Sequence, residues 1–436
     1  MSSNKVTLEK IVSLCKRRGF VFQSAEIYSG LNGVYDFGPL GAKLKQNIKN
    51  SWIDFVNKAE DEIVFLDGSI LGAQAVWKAS GHTDNFSDPL VDCQNCKKRF
   101  RADDIDLEKA CPACGVKKWT DVRQFKLMFE TELGAVSDKS NIAYLRPETA
   151  QSIFVNFKNV MNSSRVKIPF GIAQIGKAFR NEITPKQFLF RMREFEQMEL
   201  EFFCKEENAE KFFNKWVELR INYFKKLGLN SEKIRTRPHE KDELAHYSKS
   251  CVDVEYNFPF GWKELEGIAY RTDYDLKQHA KHSGKDLSVF DQETGESYYP
   301  HVIECSVGVD RLFLTILFDA YTEDEIEGEK RTSLKLHPQI APITAAILPL
   351  SKKLSNNCKN IYESLKQKGY SIQFDDSGSI GKRYRRQDEI GTPVCFTFDF
   401  DSVQDNKVTA RNRDTLKQER ISIDQVENYI KNLLEK

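Results

Sequence analysis

The chain has 436 residues, with 65 Lys and Arg against 64 Asp and Glu, a formal net charge of +1 and 40% hydrophobic side chains. Such a length allows two or three domains with a real core. A charge this close to zero excludes a surface built throughout for a polyanion, so any nucleic-acid contact must be a local patch.

The N-terminal stretch MSSNKVTLEK is polar and lacks the apolar segment of a secretory signal. The longest apolar runs, LFLTILF at 312–318 and APITAAILPL at 341–350, are too short to cross a bilayer. A cytoplasmic protein with no membrane partner is expected. Four of the ten cysteines then form CQNC at 93–96 and CPAC at 111–114. Paired CxxC units match a tetrahedral Zn²⁺ site with bonds of about 2.3 Å. Without a secretion signal they suit a reducing compartment better than disulfides. Cys93, Cys96, Cys111 and Cys114 are the expected metal ligands, a closed set that staples a small polar interruption at 85–125 and does no chemistry. The words KKRFRADD and GVKKWT beside it are locally basic. Cys15, Cys204, Cys251, Cys305, Cys358 and Cys395 read as ordinary buried residues.

Residues 172–183 read as a strand, TPKQ as a turn and 191–203 as the returning strand. Period two puts Gln174, Gly176, Ala178, Arg180 and Glu182 on one face. Arg191, Arg193, Phe195, Gln197, Glu199 and Glu201 share a face of the second strand, with Met198, Leu200 and Phe202 opposite. An Arg fork suits a phosphate. A Phe face suits a base, worth about 1–3 kcal/mol in single-strand binders. Carboxylates suit an ammonium or a metal-bound phosphate. The ligand asked for has phosphates, a base and a cation.

A second interruption, 205–260, carries AEKFFNKWVELRINYFKKLGL, apolar at helical spacing. Then HVIECSVGVDRLFLTILFDAY, 301–321, reads as strand, Gly-containing turn and apolar helix. Glu304 and Ser306 share a strand face, and Gly308 permits close backbone approach. Arg311 sits in the first turn of a helix whose Leu312, Phe313, Ile316 and Leu317 must be buried, a placement that asks for an anion. His301 reads as structural. Past Pro338 and Pro342, strands and helices alternate as a compact α/β domain. There Lys382, Arg383, Arg385 and Arg386, with Tyr384 interleaved and Arg411 and Arg413 following, make a basic patch suited to single-stranded bases.

These words resemble a known family. FRNE followed by RMREF resembles motif 2 of the class II aminoacyl-tRNA synthetases, and GVDR before an apolar helix resembles motif 3. GLNGVYDFGPLGAKLKQNIKNSWIDFV, FRADDID, LRPETAQSIFVNF, REFEQMELEFF and VIECSVGVDR are similar to the dimeric glycyl type of that family. The tail GKRYRRQDEIGTPVCFTFDF resembles the anticodon-binding domain that this type shares with the threonyl, prolyl and histidyl enzymes. The resemblance covers nearly the whole chain.

It implies an α+β fold: an antiparallel sheet flanked by helices over 1–340, then an α/β anticodon-binding domain over 341–436. It also implies a homodimer through the 31–70 region. The implied reaction activates glycine with ATP and Mg²⁺ to glycyl-adenylate and transfers glycine to the 3′ end of tRNA(Gly). Arg180, Glu182 and Arg311 would be catalytic. Arg180 would hold the α-phosphate, Glu182 the adenine amino group and Arg191 the γ-phosphate. Phe195 would stack on adenine, with Arg311 on its other side or near the γ-phosphate. Asn181, Phe190, Met192, Arg193, Glu194, Glu264, Leu265, Gly308, Val309 and Asp310 would complete the ATP site. Glu148, Glu304 and Ser306 would bind glycine, with Arg101 at the pocket's edge and Glu196, Gln197, Met198, Glu199, Cys305 and Val307 bordering it. Two positions depart from the pattern: Ser306 stands at the first Gly of GxGxxR, as in the glycyl type, and Ser152 stands where a Gly is expected. The alternative, a non-catalytic tRNA-binding relative, fits poorly with intact Arg180, Glu182, Phe195 and Arg311.

Overall fold

Two long segments that alternate between apolar and functional side chains build the centre of the structure, a computed structural model that describes residues 6–134, 141–245, 247–326 and 328–435. The first five residues of the polar N-terminus lie outside these. In chain order the elements that matter are α1 (Pro39–Ala59), β1 (Ile63–Phe65), α2 (Ala150–Ser164), β2 (Phe170–Phe179), β3 (Glu194–Cys204), α3 (Glu206–Lys226), β4 (Ile234–Pro238), β5 (Ser250–Phe258), β6 (Gly261–Thr272), α4 (Tyr274–Ser283), β7 (His301–Gly308) and α5 (Val309–Ala320). The strands form one seven-stranded sheet in the order β4-β5-β6-β7-β3-β2-β1. All neighbours are antiparallel except β1 and β2.

Period two gives this sheet two unlike faces. On one, Met198, Leu200 and Phe202 of β3, Ile303, Cys305 and Val307 of β7, and Ile268 and Tyr270 of β6 join the main core. That core is closed by Leu44, Ile48 and Trp52 of α1, Trp216 and Phe224 of α3, and Leu312, Phe313 and Leu317 of α5. On the other face, Phe170, Ile172, Phe203 and Val302 pack against Phe154 and Phe157 of α2 and Leu276 of α4. That second core covers only part of the face. The uncovered remainder is the floor of a cavity.

Two sequence expectations need correction here. The hairpin strands end earlier than read: β2 stops at Phe179 and β3 starts at Glu194, so Arg180, Glu182, Arg191 and Arg193 lie in the connection. This connection contains a short helical turn at Phe188–Phe190, entered through positive φ at Gln187 and Phe188. The segment 205–260 is not a mere interruption. It supplies α3 and two strands of the central sheet, β4 and β5, because Val254, Tyr256 and Phe258 face the same core as Trp216.

A separate three-stranded sheet, with Ser87–Asp92 between Arg99–Arg101 and Arg123–Lys126, carries the four clustered cysteines. The tail adds β8 (Ala345–Pro349), α6 (Ser355–Gln367), β9 (Ile372–Phe374), α7 (Ile380–Ile390), β10 (Val394–Phe398), β11 (Lys407–Asn412), β12 (Gln418–Ser422) and α8 (Val426–Leu434). Its sheet runs β9-β8-β10-β11-β12, parallel in the first three strands and antiparallel thereafter. It has its own core around Ile347, Cys358, Phe396 and Ile430.

Candidate active site

The cavity has a volume of about 560 Å³, within the range of small-molecule sites. Its floor is the functional face of the sheet. Phe195 and Gln197 of β3, Glu304, Ser306 and Gly308 of β7, and Gly267 and Ala269 of β6 all line it. The small residues on that face leave the volume open.

One end is rich in arginine. Arg180, Arg191, Arg311 and Arg101 line it, with Phe190 and Met192. Arg180 donates from Nε to the Pro147 carbonyl at 3.1 Å, and its guanidinium lies 5.3 Å from the ring centres of both Phe195 and Phe86. Arg311 pairs with Glu264 at 2.9 Å and lies 4.6 Å from the Phe190 ring centre. Arg101 pairs with Asp88 at 3.2 Å. Burial raises the Glu182 carboxyl above its ordinary range, against the pull of Arg191.

At the other end Glu304 lines the cavity, while the buried Glu199 and the half-buried Glu148 sit beside it without lining the wall themselves. Glu304 accepts from Arg271 Nη1 at 3.0 Å, and Arg271 also grips Asp275 with two bonds of 2.8 Å. Glu199 accepts from Ser306 Oγ at 2.8 Å, from Thr149 N at 3.1 Å and from the Thr149 hydroxyl. Burial, then repulsion from Glu304 and Glu148, pushes Glu199 up to about 7. Burial resists ionisation of Glu148 too, but His82 Nε2 at 3.2 Å, Arg271 and Gln151 more than offset this and hold it well below the ordinary range. The arrangement presents phosphate-directed cations at one end and net negative charge at the other. Such a site takes an anionic nucleotide and a small cationic group side by side.

Comparison with known proteins gives the family. A model described as the tRNA synthetase class II core domain (G, H, P, S and T) matches residues 129–320, and one described as an anticodon binding domain matches 344–433. The chain is 53% identical to glycine–tRNA ligase of Caldanaerobacter subterraneus subsp. tengcongensis, over 99% of each chain. It is 52% identical to that of Geobacillus thermodenitrificans over 97% of each, and 51% identical to that of Thermobifida fusca over 99% of this chain and 98% of the other. The chain belongs to the glycine–tRNA ligase family. It is a class II aminoacyl-tRNA ligase fold with an anticodon-binding domain, and its function is ligation of glycine to tRNA. Class II synthetases use ATP with Mg²⁺. The non-catalytic alternative is not favoured.

For a glycine–tRNA ligase, several residues expected at the site are turned elsewhere. Met198, Cys305, Val307, Leu265 and Val309 point into the main core, because strand alternation and the inner face of α5 send them there. Glu196 pairs with Lys45 and Lys49 behind the sheet. Arg193 spends its fork on the carbonyls of Glu182 and Asn32, holding the loop rather than a ligand. Glu194 pairs with Lys177, and the Asn181 N–H is tied to the Leu127 carbonyl. Asp310 reaches the cavity wall but is held by Lys45 at 2.6 Å and accepts from the Glu196 N–H. Ser152 is used: its hydroxyl donates to the Thr149 carbonyl and accepts from Gln174. His301 bonds Tyr270 and does not line this cavity. Cys251, expected in a core, is half-buried and lines the cavity.

Sequence reasoning missed Arg271, Asp275, His82 and Asp88. Arg271 had a signal. It shares its strand face with Gly267 and Ala269, the same small-small-Arg spacing as Gly176, Ala178 and Arg180.

Among the clustered cysteines, Sγ of Cys93 and Cys114 are 3.6 Å apart and those of Cys96 and Cys111 are 3.8 Å apart. All four sulfurs lie within 4.8 Å of one another. A tetrahedron with bonds of about 2.3 Å has edges of about 3.8 Å. Hydrogen bonding from the Val116 backbone, then from Asn95, pulls the Cys114 thiol down to about 6.

The tail patch is largely consumed. Arg383 is 2% exposed and donates to the carbonyls of Pro349, Leu350 and Asp375. Arg386 pairs with Asp375, Arg385 with Glu329, and Arg411 with Asp388. Of the four basic residues expected on helix α7, Lys382 and Arg383 have no ion pair among the described residues, and Arg383 is spent on backbone carbonyls.

Proposed function

We propose that the cavity binds ATP at its arginine end and glycine over its carboxylate end, with the residue roles implied by motif. Arg180 holds the α-phosphate between Phe195 and Phe86, Glu182 accepts from the adenine amino group, Phe195 stacks on the base, and Arg191 and Arg311 meet the outer phosphates. Glu148, Glu304 and Ser306 select glycine. Mg²⁺ enters with ATP, and Glu264 is the carboxylate beside Arg311 that would meet it. The observation that carries this reading is the coincidence of Arg180, Phe195, Arg311, Glu304 and Ser306 on one cavity wall.

The nucleophile is the glycine carboxylate, already charged, so activation needs no protein base. Rate comes from positioning and from charge stabilisation by arginine and Mg²⁺. The ribose 3′-hydroxyl of tRNA then takes the glycyl group. Glycine is chosen mostly by exclusion: overpacking against a methyl costs about 1–3 kcal/mol. Attraction falls to the ammonium, for which one carboxylate at about 4 Å supplies roughly 4 kcal/mol at an effective dielectric near 20.

Residues 1–340 carry the chemistry and 341–436 the anticodon contacts. The four cysteines hold a structural Zn²⁺, a reading supported by their sulfur spacing and by the absence of any disulfide among the described residues; free thiols also suit the cytoplasm. No helix among the described residues is long and apolar enough to cross a membrane. Homodimerisation is supported by the exposed apolar side chains Ile27, Tyr28, Leu31, Phe65, Ile70 and Leu71, concentrated in and beside 31–70. The test is glycine-dependent ATP–pyrophosphate exchange with alanine and serine as controls and no tRNA. Exchange with glycine alone is expected. No exchange in folded, dimeric protein overturns the reading.

A further inference from the structure

Glu201 has no assigned part in this site, yet it is the most conspicuous polar group near it. It is 0% exposed, and neither carboxyl oxygen has a hydrogen-bond partner. It does not line the cavity; it lies behind Glu304, which does. The register of β3 and β7 puts Glu201 directly opposite Glu304 and Glu199 directly opposite Ser306. Oxygens of Glu199, Glu201 and Glu304 lie within 4.8 Å of one another.

Like charges directly opposite on one sheet face repel, and a buried ionised carboxylate with no donor is strongly disfavoured. The groups facing Glu201 are Glu199 on its own strand, Glu304 on β7, Arg271 on β6 and Asp275 on α4. Arg271 does not relieve it, because its fork is already committed to Asp275 and Glu304. A divalent cation among the three carboxylates would meet that same guanidinium. The remaining solution is a proton. Burial and the neighbouring carboxylates raise Glu201 well above the ordinary range.

We propose that Glu201 is a positioning residue for the amino-acid substrate: it stays protonated, donates to Glu304, and so fixes an ionised Glu304 to receive the glycine ammonium. One Glu304 oxygen is then held by Arg271 and the other by Glu201. The fork of Glu304 cannot swing away from the cavity. This rests on the glycine site proposed above, so wild-type exchange with glycine serves as the control that separates the two ideas.

The experiment compares Glu201→Gln, which keeps length and a donor, with Glu201→Met, which keeps length alone. Glutamine is expected to hold the glycine KM within about twofold, whereas methionine raises it about tenfold or more with the ATP KM unchanged. In the methionine variant Glu304 has lost a donor to its ionised form, so the rise of affinity with pH moves to higher pH. Infrared spectroscopy supplies a readout that does not depend on the methionine variant folding: a protonated carboxyl band at neutral pH, present in wild type and missing in Glu201→Gln. Equal kinetics for the two variants, or no such band, overturns the proposal.

Discussion

At the scale of single residues, the proposed glycine end of the cavity is a problem in counting charge. Glu148, Glu199, Glu201, Glu304 and Asp275 converge there against Arg271 and His82. Glu148 is held ionised by His82, Arg271 and Gln151, so it presents a fixed negative charge. Glu148→Gln should raise the glycine KM about tenfold or more while moving the ATP KM little, since it removes one ammonium-directed charge; steady-state exchange at varied glycine and ATP checks this, and equal effects would remove Glu148 from the role. Glu199 behaves differently. Its folded value, about 7, lies above the ordinary 4.5. Between those values the native state holds a proton that the unfolded chain has released, so this group's contribution to stability falls as pH rises through the window and is flat above it. Glycine binding has the opposite sign, because an ammonium prefers the ionised form. The glycine KM should therefore fall several-fold as pH rises from about 6 to about 8, while the ATP KM stays level. A level glycine profile would show that Glu199 does not titrate against substrate.

At the scale of elements, what was legible followed alternation. Glu304 and Ser306 reach the cavity while Cys305 and Val307 do not, as period two on a single strand dictates. The strand ends were not legible, because Arg180 and Glu182 continue the same parity although the pairing has stopped at Phe179. The Arg271–Glu304 pair was not legible either, since it joins residues 33 apart across two strands. In the tail, the alternating elements were readable one by one, but which arginines would be buried depended on the carbonyls and on Asp388 that surround them. The cysteine module is the clearest element-scale test. Little apolar surface holds it: Leu90, Val91 and the Phe100–Trp119 contact, beside the four sulfurs. Chelation or Cys111→Ser should unfold 86–126 locally, because a structural metal supplies folding energy directly. Arg101 lines the cavity from this module's strand, so exchange activity should fall along with it. Limited proteolysis within 86–126, with metal content measured in parallel, checks the order of events; a chelated protein that resists cleavage and keeps full activity would deny the metal any structural part.

At the scale of the whole molecule, two surfaces decide how the parts act together. The first is the proposed dimer surface, the exposed apolar stretch around Ile27 and Tyr28, which are 88% and 81% exposed. A charge at Tyr28, as in Tyr28→Glu, should shift the protein toward monomers in sedimentation, with activity falling in step; an unchanged dimer would move the interface elsewhere. The second surface joins the tail to the catalytic part, and Asp388 on α7 is its hub. Asp388 is 1% exposed and accepts from Arg411 at 2.9 and 3.0 Å and from Arg331, on the catalytic side, at 3.2 Å. Close by, Arg413 donates to the Leu336 and Gly391 carbonyls, and Arg18 near the N-terminus pairs with Glu389. Arg331 retains Asp324 if Asp388 is removed, but Arg411 has no other ion pair among the described residues. Breaking a buried pair from one side leaves an uncompensated charge and costs about 3–5 kcal/mol. Asp388→Ala should therefore lower the thermal midpoint and separate the tail's unfolding from that of the catalytic part. Because the cavity lies wholly in the catalytic part, glycine-dependent exchange should survive while transfer to tRNA falls, since the anticodon contacts no longer share a rigid frame with the site. Loss of exchange and transfer in equal measure would mean instead that Asp388 supports the fold of the whole chain.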